Sequence, residues 1–252
     1  MTMLQPLFSH QFGGTIWRME IDELTDILLL EIRNSDDKQV SFASLSLTTG
    51  QLYFEGFTTE ERWLTGLEAV YDGVALLHYY KHEGSPEHKG IVAIGAQDAT
   101  ALWSNYSHAF DHLSTNGPIV YDTSLQPKKP MLADMITGRP MRSYQPADAP
   151  LPNSIAVPAN APARDFVAGI LPLEPYGNIV HSLDYNNYRI VSLHTLKNGA
   201  LQQHLYIMED PGVVYTDLLN TNIQKLQPEA FVLHKNVLVY IKNKTEIIVL
   251  AL

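Results

Sequence analysis

The chain has 252 residues, 45% hydrophobic and 17% charged, with 17 basic against 27 acidic residues, a formal net charge of −10 and no cysteine. That balance can build a core in one large domain or two small ones. The acidic charge repels phosphate backbones and anionic lipid, so neither a nucleic-acid nor a membrane partner is expected. The lack of cysteine excludes disulfides, thiolate metal sites, iron–sulfur clusters and thiol nucleophiles.

The opening MTMLQPLFSHQF lacks the basic start and apolar stretch of a secretory signal. The longest apolar runs, such as Ile27–Leu30 and Ile247–Leu252, are too short to span a bilayer. The expectation is a soluble, cytoplasmic protein. Thirteen Tyr, eight Phe and three Trp, with many β-branched residues, favour strands.

Short apolar runs separated by turn residues recur from end to end, and no long segment keeps a helical period. Five turns lead into apolar strands: LTD before Ile27, YDG before Val74, TNG before Pro118, YNN before Tyr188 and HKN before Val237. Asp-Gly and Asn-Gly suit tight hairpins because such turns need positive φ. The spacings are 47, 44, 70 and 49 residues, three of them near the size of a four-stranded propeller blade.

In chain order, Pro6–Phe12 carries a fourth-strand pattern ahead of the first complete unit. Each unit then begins with a strand into its turn: Thr15–Asp22, Leu64–Val70, His108–Leu113, Asn178–Asp184 and Ala230–Leu233. The apolar returns are Ile27–Ile32, Val74–Tyr80, Ile119–Asp122, Tyr188–Leu193 and Val237–Ile241. Third strands follow at Val40–Leu47, Ile91–Ala96, Met131–Met135, Leu201–Met208 and Thr245–Leu250. Fourth strands are expected around Gln51–Phe54, Ala101–Ser104, Pro140–Ser143 and Val213–Asp217. The last unit stops short of a fourth strand, and the N-terminal strand supplies it, which removes a free sheet edge. Thr58–Glu61 resembles a capping box for one helical turn, and Asp217–Leu226 is a second helical candidate. Residues 143–176 hold seven of the fifteen prolines and read as an extended excursion over the surface, since proline cannot serve central sheet.

The stretch Ile91–Trp103, IVAIGAQDATALW, resembles the third-to-fourth strand hairpin of quinoprotein-type (PQQ-type) β-propeller repeats. Ala93, Ile94, Ala96, Leu102 and Trp103 match that pattern. Weaker copies supply Thr49-Gly50 with Phe54, and Asp134 with Thr137-Gly138. The resemblance implies a propeller fold. It brings no quinone with it, because the vicinal cysteine pair of quinone-binding relatives is missing, and no cofactor is expected. The resulting expectation is an all-β, five-bladed propeller-like domain over residues 1–252, with four-stranded antiparallel blades and the N-terminal strand completing the last.

A propeller's first strands line its channel, so candidate site residues are sought there. Six positions before each turn's last residue stand Glu20, Leu67, Asp111, His181 and Ala230, and five before stand Ile21, Glu68, His112, Ser182 and Phe231. Alternation lets only one ring face inward unless a bulge intervenes. Glu20, Asp111 and His181 are the catalytic candidates, as carboxylates for glycosidic acid–base work or as ligands of a hard metal ion. Glu68, His112, His78 and Tyr80 are the binding candidates, the last two from the aromatic–basic run His78–His82 and its loop to Lys89. His108 and His112 would sit roughly 13 Å apart on a strand and cannot share an ion, so no metal site is expected. Trp17 and Trp103 read as plugs between blades and Trp63 as an interblade contact. No nucleophile elbow, phosphate loop or dinucleotide fingerprint is present. The sequence therefore points to a binding or scaffold module for a protein or small-molecule ligand, using the channel mouth or the Pro-rich insertion. The alternatives are a carbohydrate-active hydrolase built on the channel carboxylates, or a purely structural role within a larger assembly.

Overall fold

In the computed structural model, all five predicted turns reverse the chain, and each contains a residue with positive φ: Asp26 (55°), Asp72 and Gly73 (49° and 76°), Gly117 (136°), Asn186 (52°) and Lys235 (53°). The structure describes residues 3–167, 171, 173–210, 212–227 and 230–252. Within them the chain is all-β apart from one four-residue helix, and no helix is long and apolar enough to cross a membrane.

The elements run β1 (Pro6–Gln11), then β2 (Thr15–Asp22), β3 (Ile27–Asn34), β4 (Gln39–Ser46) and β5 (Leu52–Phe57). Next come β6 (Thr65–Tyr71), β7 (Val74–Tyr80), β8 (His88–Gly95) and β9 (Ala101–Asn105), followed by β10 (His108–Ser114), β11 (Gly117–Asp122), β12 (Pro130–Ala133) and β13 (Pro140–Ser143). The Pro-rich segment contributes β14 (Ala159–Pro162) and α1 (Arg164–Val167). The chain continues with β15 (Ile179–Tyr185), β16 (Tyr188–Lys197), β17 (Ala200–Glu209) and β18 (Gly212–Ile223), and ends with β19 (Phe231–His234), β20 (Val237–Lys242) and β21 (Glu246–Ala251).

Two compact units result, Gly13–Asn153 and Met1–Phe12 with Ser154–Leu252. The first holds the four-stranded antiparallel meanders β2-β3-β4-β5, β6-β7-β8-β9 and β10-β11-β12-β13. The second holds β1-β21-β20-β19 and a five-stranded sheet, β14-β15-β16-β17-β18. As expected, the N-terminal strand completes the last sheet: β1 pairs antiparallel with β21 from Pro6↔Leu250 to Gln11↔Glu246. Met1 and Thr2, also assigned to that end, lie outside the described residues.

Where the structure departs from the sequence reading, the cause is local. The fourth sheet has a fifth strand because β14, although rich in Ala and Pro, pairs with β15 at its edge; edge strands tolerate proline. Asp217–Leu226 lies largely in strand β18, twelve residues long and paired with β17, rather than in a helix. Thr58–Glu61 forms bends and no helical turn. Trp17 is 64% exposed and plugs nothing, for a reason given below. Trp103 does bridge two sheets: its Nε1–H donates to Met135 O at 2.9 Å, and a Cβ on Gly138 would overlap its ring.

The insertion stays at the surface, as expected, with only Asp148, Ala163 and Phe166 of its described residues buried, but backbone pairing ties it down. Thr115 N donates to Ala149 O and Leu151 N to Leu113 O, so its first part runs along β10. Ala156 exchanges two backbone bonds with Leu233 of β19, and β14 covers β15. Within each unit the insertion therefore caps the free edges of leading strands, which otherwise present unpaired donors and acceptors.

Burial explains the strength of the apolar returns. Ile27–Ile32 of β3, Val74–Tyr79 of β7 and Ile190–Thr195 of β16 are buried without a break, so both faces of these strands are covered. Between the first two sheets, Ile27, Leu29, Val40 and Phe42 meet Leu67, Val70, Ala75 and Leu77. Each of the larger side chains here stabilises the fold by about 1.5–3 kcal/mol. Polar ties cross the same seam. The fully buried Asp22 carboxylate accepts hydrogen bonds from Leu24 N (3.1 Å), Thr25 Oγ1 (2.7 Å) and Gly73 N (2.7 Å) of the next hairpin.

Asp22→Ala should therefore lower stability by about 1–3 kcal/mol, the cost of leaving buried donors unmet, seen as a lower urea midpoint with an unchanged slope. His194 on β16 is 3% exposed and accepts Gln227 N–H through Nε2 at 3.1 Å. Burial, with His181 and His204 adding to it, pulls its imidazole from 6.5 down to about 4. Between these values the unfolded chain binds a proton that the folded chain refuses. Stability is therefore lost as pH falls through 6.5, by about 3 kcal/mol on reaching 4. Tm of wild type should drop more steeply over this window than Tm of His194→Gln, which keeps an acceptor but does not titrate.

Candidate functional site

The side-chain alternation behind the two predicted rings is broken by β-bulges. Pairing of β6 with β7 skips between Leu67 and Ala69, leaving Glu68 as the extra residue. In the same way β10 bulges at Asp111 and β2 at Trp17. A bulge re-aims the side chain that it carries. The results differ: Trp17 is turned out, the Asp111 side chain is 44% exposed, and Glu68 is driven inside at 8%.

Glu68 points at two histidines from the neighbouring strands of its own sheet. His88 on β8 donates its Nδ1–H to Glu68 Oε1 at 2.6 Å. The imidazole of His78 on β7 stacks on that of His88, with centroids 3.7 Å apart and planes 6° apart. Tyr80 stands edge-on to both rings, at 4.5 and 5.1 Å. His78 is 2% exposed, and His88 is the more open of the pair. Glu68 Oε1 lies 3.3 Å from His78 Nδ1 but too obliquely for a hydrogen bond. Among the described residues neither ring nitrogen of His78 has a hydrogen-bond partner. A buried polar group in that state costs about 1–3 kcal/mol, and such groups call for an explanation.

The preceding sheet supports the bulge. Arg18 Nη2 donates to the Glu68 carbonyl at 2.7 Å, and Glu31 Oε2 accepts Leu67 N–H at 2.8 Å. Thus the backbone groups beside the bulge find side-chain partners from β2 and β3. Arg18 also binds Glu20 Oε1 (2.8 Å), and Arg33 binds Glu31 Oε1 (2.6 Å) while lying over the rings of Trp17 and Trp63. Gly66 gives His78 its room: a Cβ there would sit 2.6 Å from His78 Cε1, 2.8 Å from Nε2 and 3.2 Å from Glu31 Oε2.

The charge state follows from burial and these contacts. Burial pushes the Glu68 carboxyl up, but the two imidazoles overcome it and hold the group well below the usual carboxylate range. Burial pulls His78 down, keeping its ring neutral, and raises Glu20 against the opposing pull of Arg18. The arrangement is an ionised carboxylate with two imidazoles, and one ligand atom from each of Glu68, His78 and His88 lies within 4.8 Å of the other two. No metal site is expected from the sequence; here three candidate ligand atoms lie close together, on rings whose stacking keeps their lone pairs from converging.

Of the residues singled out by sequence, Glu68, His78 and Tyr80 come together, and Glu20 lies close enough to Glu68 for the two charges to interact. Asp111 pairs instead with its neighbour His112 at 2.7 Å, and the His112 ring meets Tyr144 edge-on at 6.0 Å. His108 binds Asn105. His181 belongs to the other unit, on β15 opposite Asn160 and Ser192. Arg18, Glu31, Arg33 and the place of His88 beside Glu68 are not found from sequence. The available signal was a lone charge in an apolar run, Glu31 within ILLLEI.

A family model described as a domain of unknown function (DUF4905) matches residues 21–103, a stretch that contains Glu31, Arg33, Glu68, His78, Tyr80 and His88. No curated protein matches the chain. Among solved structures, the chain is similar to Chaetomium thermophilum Raptor at 9% identity and TM-score 0.43, covering 99% of this chain and 29% of that one. BamB from Moraxella catarrhalis gives 8% identity and TM-score 0.35, with coverage of 96% and 85%. Kuenenia stuttgartiensis hydrazine synthase gives 10% and 0.30, with 88% and 62%.

The packing around Gly66 yields a direct test. Gly66→Ala should force the His78 ring aside, separate it from His88 and destabilise the protein by about 1–3 kcal/mol. The check is the urea midpoint together with the shift of the two histidine Cε1–H resonances.

Proposed function

We propose that the protein is a binding module that takes a small polar ligand at the cluster formed by Glu68, His78, Tyr80 and His88. The observation that carries this reading is His78: almost fully buried, packed against Gly66 and lacking hydrogen-bond partners among the described residues, beside an ionised carboxylate and a more accessible imidazole. A fold retains such a group at a cost, and a bound ligand offsets it. In the same reading the five sheets are blades of one five-bladed propeller-like fold. The Pro-rich insertion then serves the leading strands more than it serves a partner, because its backbone bonds go to β10, β15 and β19.

Hydrolysis of a carbohydrate by Glu20, Asp111 and His181 draws no comparable support. Glycosidic cleavage needs two carboxylates facing one bond, whereas Glu20 is tied to Arg18 and Asp111 to His112.

Thermal-shift measurements on the whole chain against sugars, carboxylates, nucleotides and divalent metals test the proposal, since a ligand of the native state raises Tm. At least one compound should raise Tm of wild type, and His88→Gln or Tyr80→Phe should cut that rise by half or more. Equal shifts in the variants, or glycan hydrolysis abolished by Glu20→Gln, would overturn the reading.

A further inference from the structure

We infer that Glu68, His78 and His88 bind one divalent transition-metal ion of the zinc type through a carboxylate oxygen and two imidazole nitrogens. This names the ligand of the binding reading above and rests on it. Around a tetrahedral ion with bonds of about 2.0–2.2 Å, ligand atoms stand roughly 3.4 Å apart. Glu68 Oε1 and His78 Nδ1 are already 3.3 Å apart. Oε1 and His88 Nδ1, at 2.6 Å, must open by roughly 0.8 Å to reach that spacing. The same movement splays the stacked rings, whose nearly parallel planes do not let their lone pairs converge. Both imidazoles then carry their proton on Nε2.

The surroundings are those of a built site. The bulge delivers Glu68, Gly66 leaves space for His78, and the Tyr80 edge closes one side. Glu31 Oε2 and His78 Nε2 both border the space above Gly66, which puts a carboxylate near the ring's outer proton. Two nitrogen donors and one oxygen suit zinc, cobalt, nickel or copper, whereas magnesium and calcium demand oxygen sets. Three protein ligands leave one tetrahedral position for water or a further ligand.

The test titrates chelator-stripped, full-length protein with Co²⁺, followed by visible absorbance, and with Zn²⁺ by calorimetry. One ion per chain should bind, producing four-coordinate Co²⁺ bands that excess Mg²⁺ does not remove. Glu68→Gln and His88→Gln should each weaken binding by at least about 10-fold, while His204→Gln leaves it unchanged. His88 is the more exposed ligand, so its variant keeps the test decisive where Glu68→Gln fails to fold. Absence of binding, or binding unaffected by the His88 variant, overturns the metal site. If metals fail while another compound gives a shift that depends on His88 and Tyr80, the metal inference falls and the binding reading stands. If no ligand does so, both fall.

Discussion

The structure depends on second strands that are covered on both faces. β3, β7 and β16 each run through six consecutive buried residues. A strand in that position has no solvent side on which a polar residue can rest, so every polar group there must be served by other protein groups. Glu31 is served twice, by Arg33 and by Leu67 N–H. His194 accepts from Gln227. His78 alone of the three has only an oblique carboxylate and a stacked ring. The constraint that shapes the core thus also marks the candidate site, as the place where it is least well met.

The bulge at Glu68 connects this constraint to the chemistry. It leaves Glu68 without a partner on β7, in a strand whose residues Thr65–Val70 are all buried. A bulge takes backbone groups out of the ladder, and here Arg18 takes up the Glu68 carbonyl while Glu31 takes up the Leu67 amide. These side chains come from the first sheet and complete the second. Arg18 and Glu31 are positioning residues: they hold the backbone from which Glu68 reaches His78 and His88.

The scaffold was legible where local chemistry decides the outcome. Turn residues that tolerate positive φ placed all five hairpins, and Pro140–Ser143 and Thr15–Asp22 match the strands to the residue. Elements decided by partners were not legible. β14 has no apolar alternation, and only the open edge of β15 makes ANAP a strand. β18 contains Asp217-Leu-Leu-Asn, which suits a helix as well as a strand until β17 lies alongside it. Bulges leave no mark in composition, so the two rings were drawn on an alternation that β2, β6 and β10 do not keep. For that reason Glu68 and Asp111, taken from different rings, are alike in being bulge residues.

What separates those two carboxylates is the sequence distance to their partners. Asp111 meets His112, its immediate neighbour, and Glu20 meets Arg18 two residues away, contacts available to almost any extended chain. Exposed pairs of this kind contribute little. Glu68 meets His78 and His88, ten and twenty residues on, only because a hairpin and then a third strand return to it. Arg18 approaches across fifty residues and Glu31 across thirty-six. Loop closure and the ordering of long side chains oppose each of these encounters. Burial of the surrounding apolar residues offsets these costs, and the encounter leaves a buried imidazole against a carboxylate without a hydrogen bond to it. Under the proposed binding role, a ligand that engages both meets that deficit.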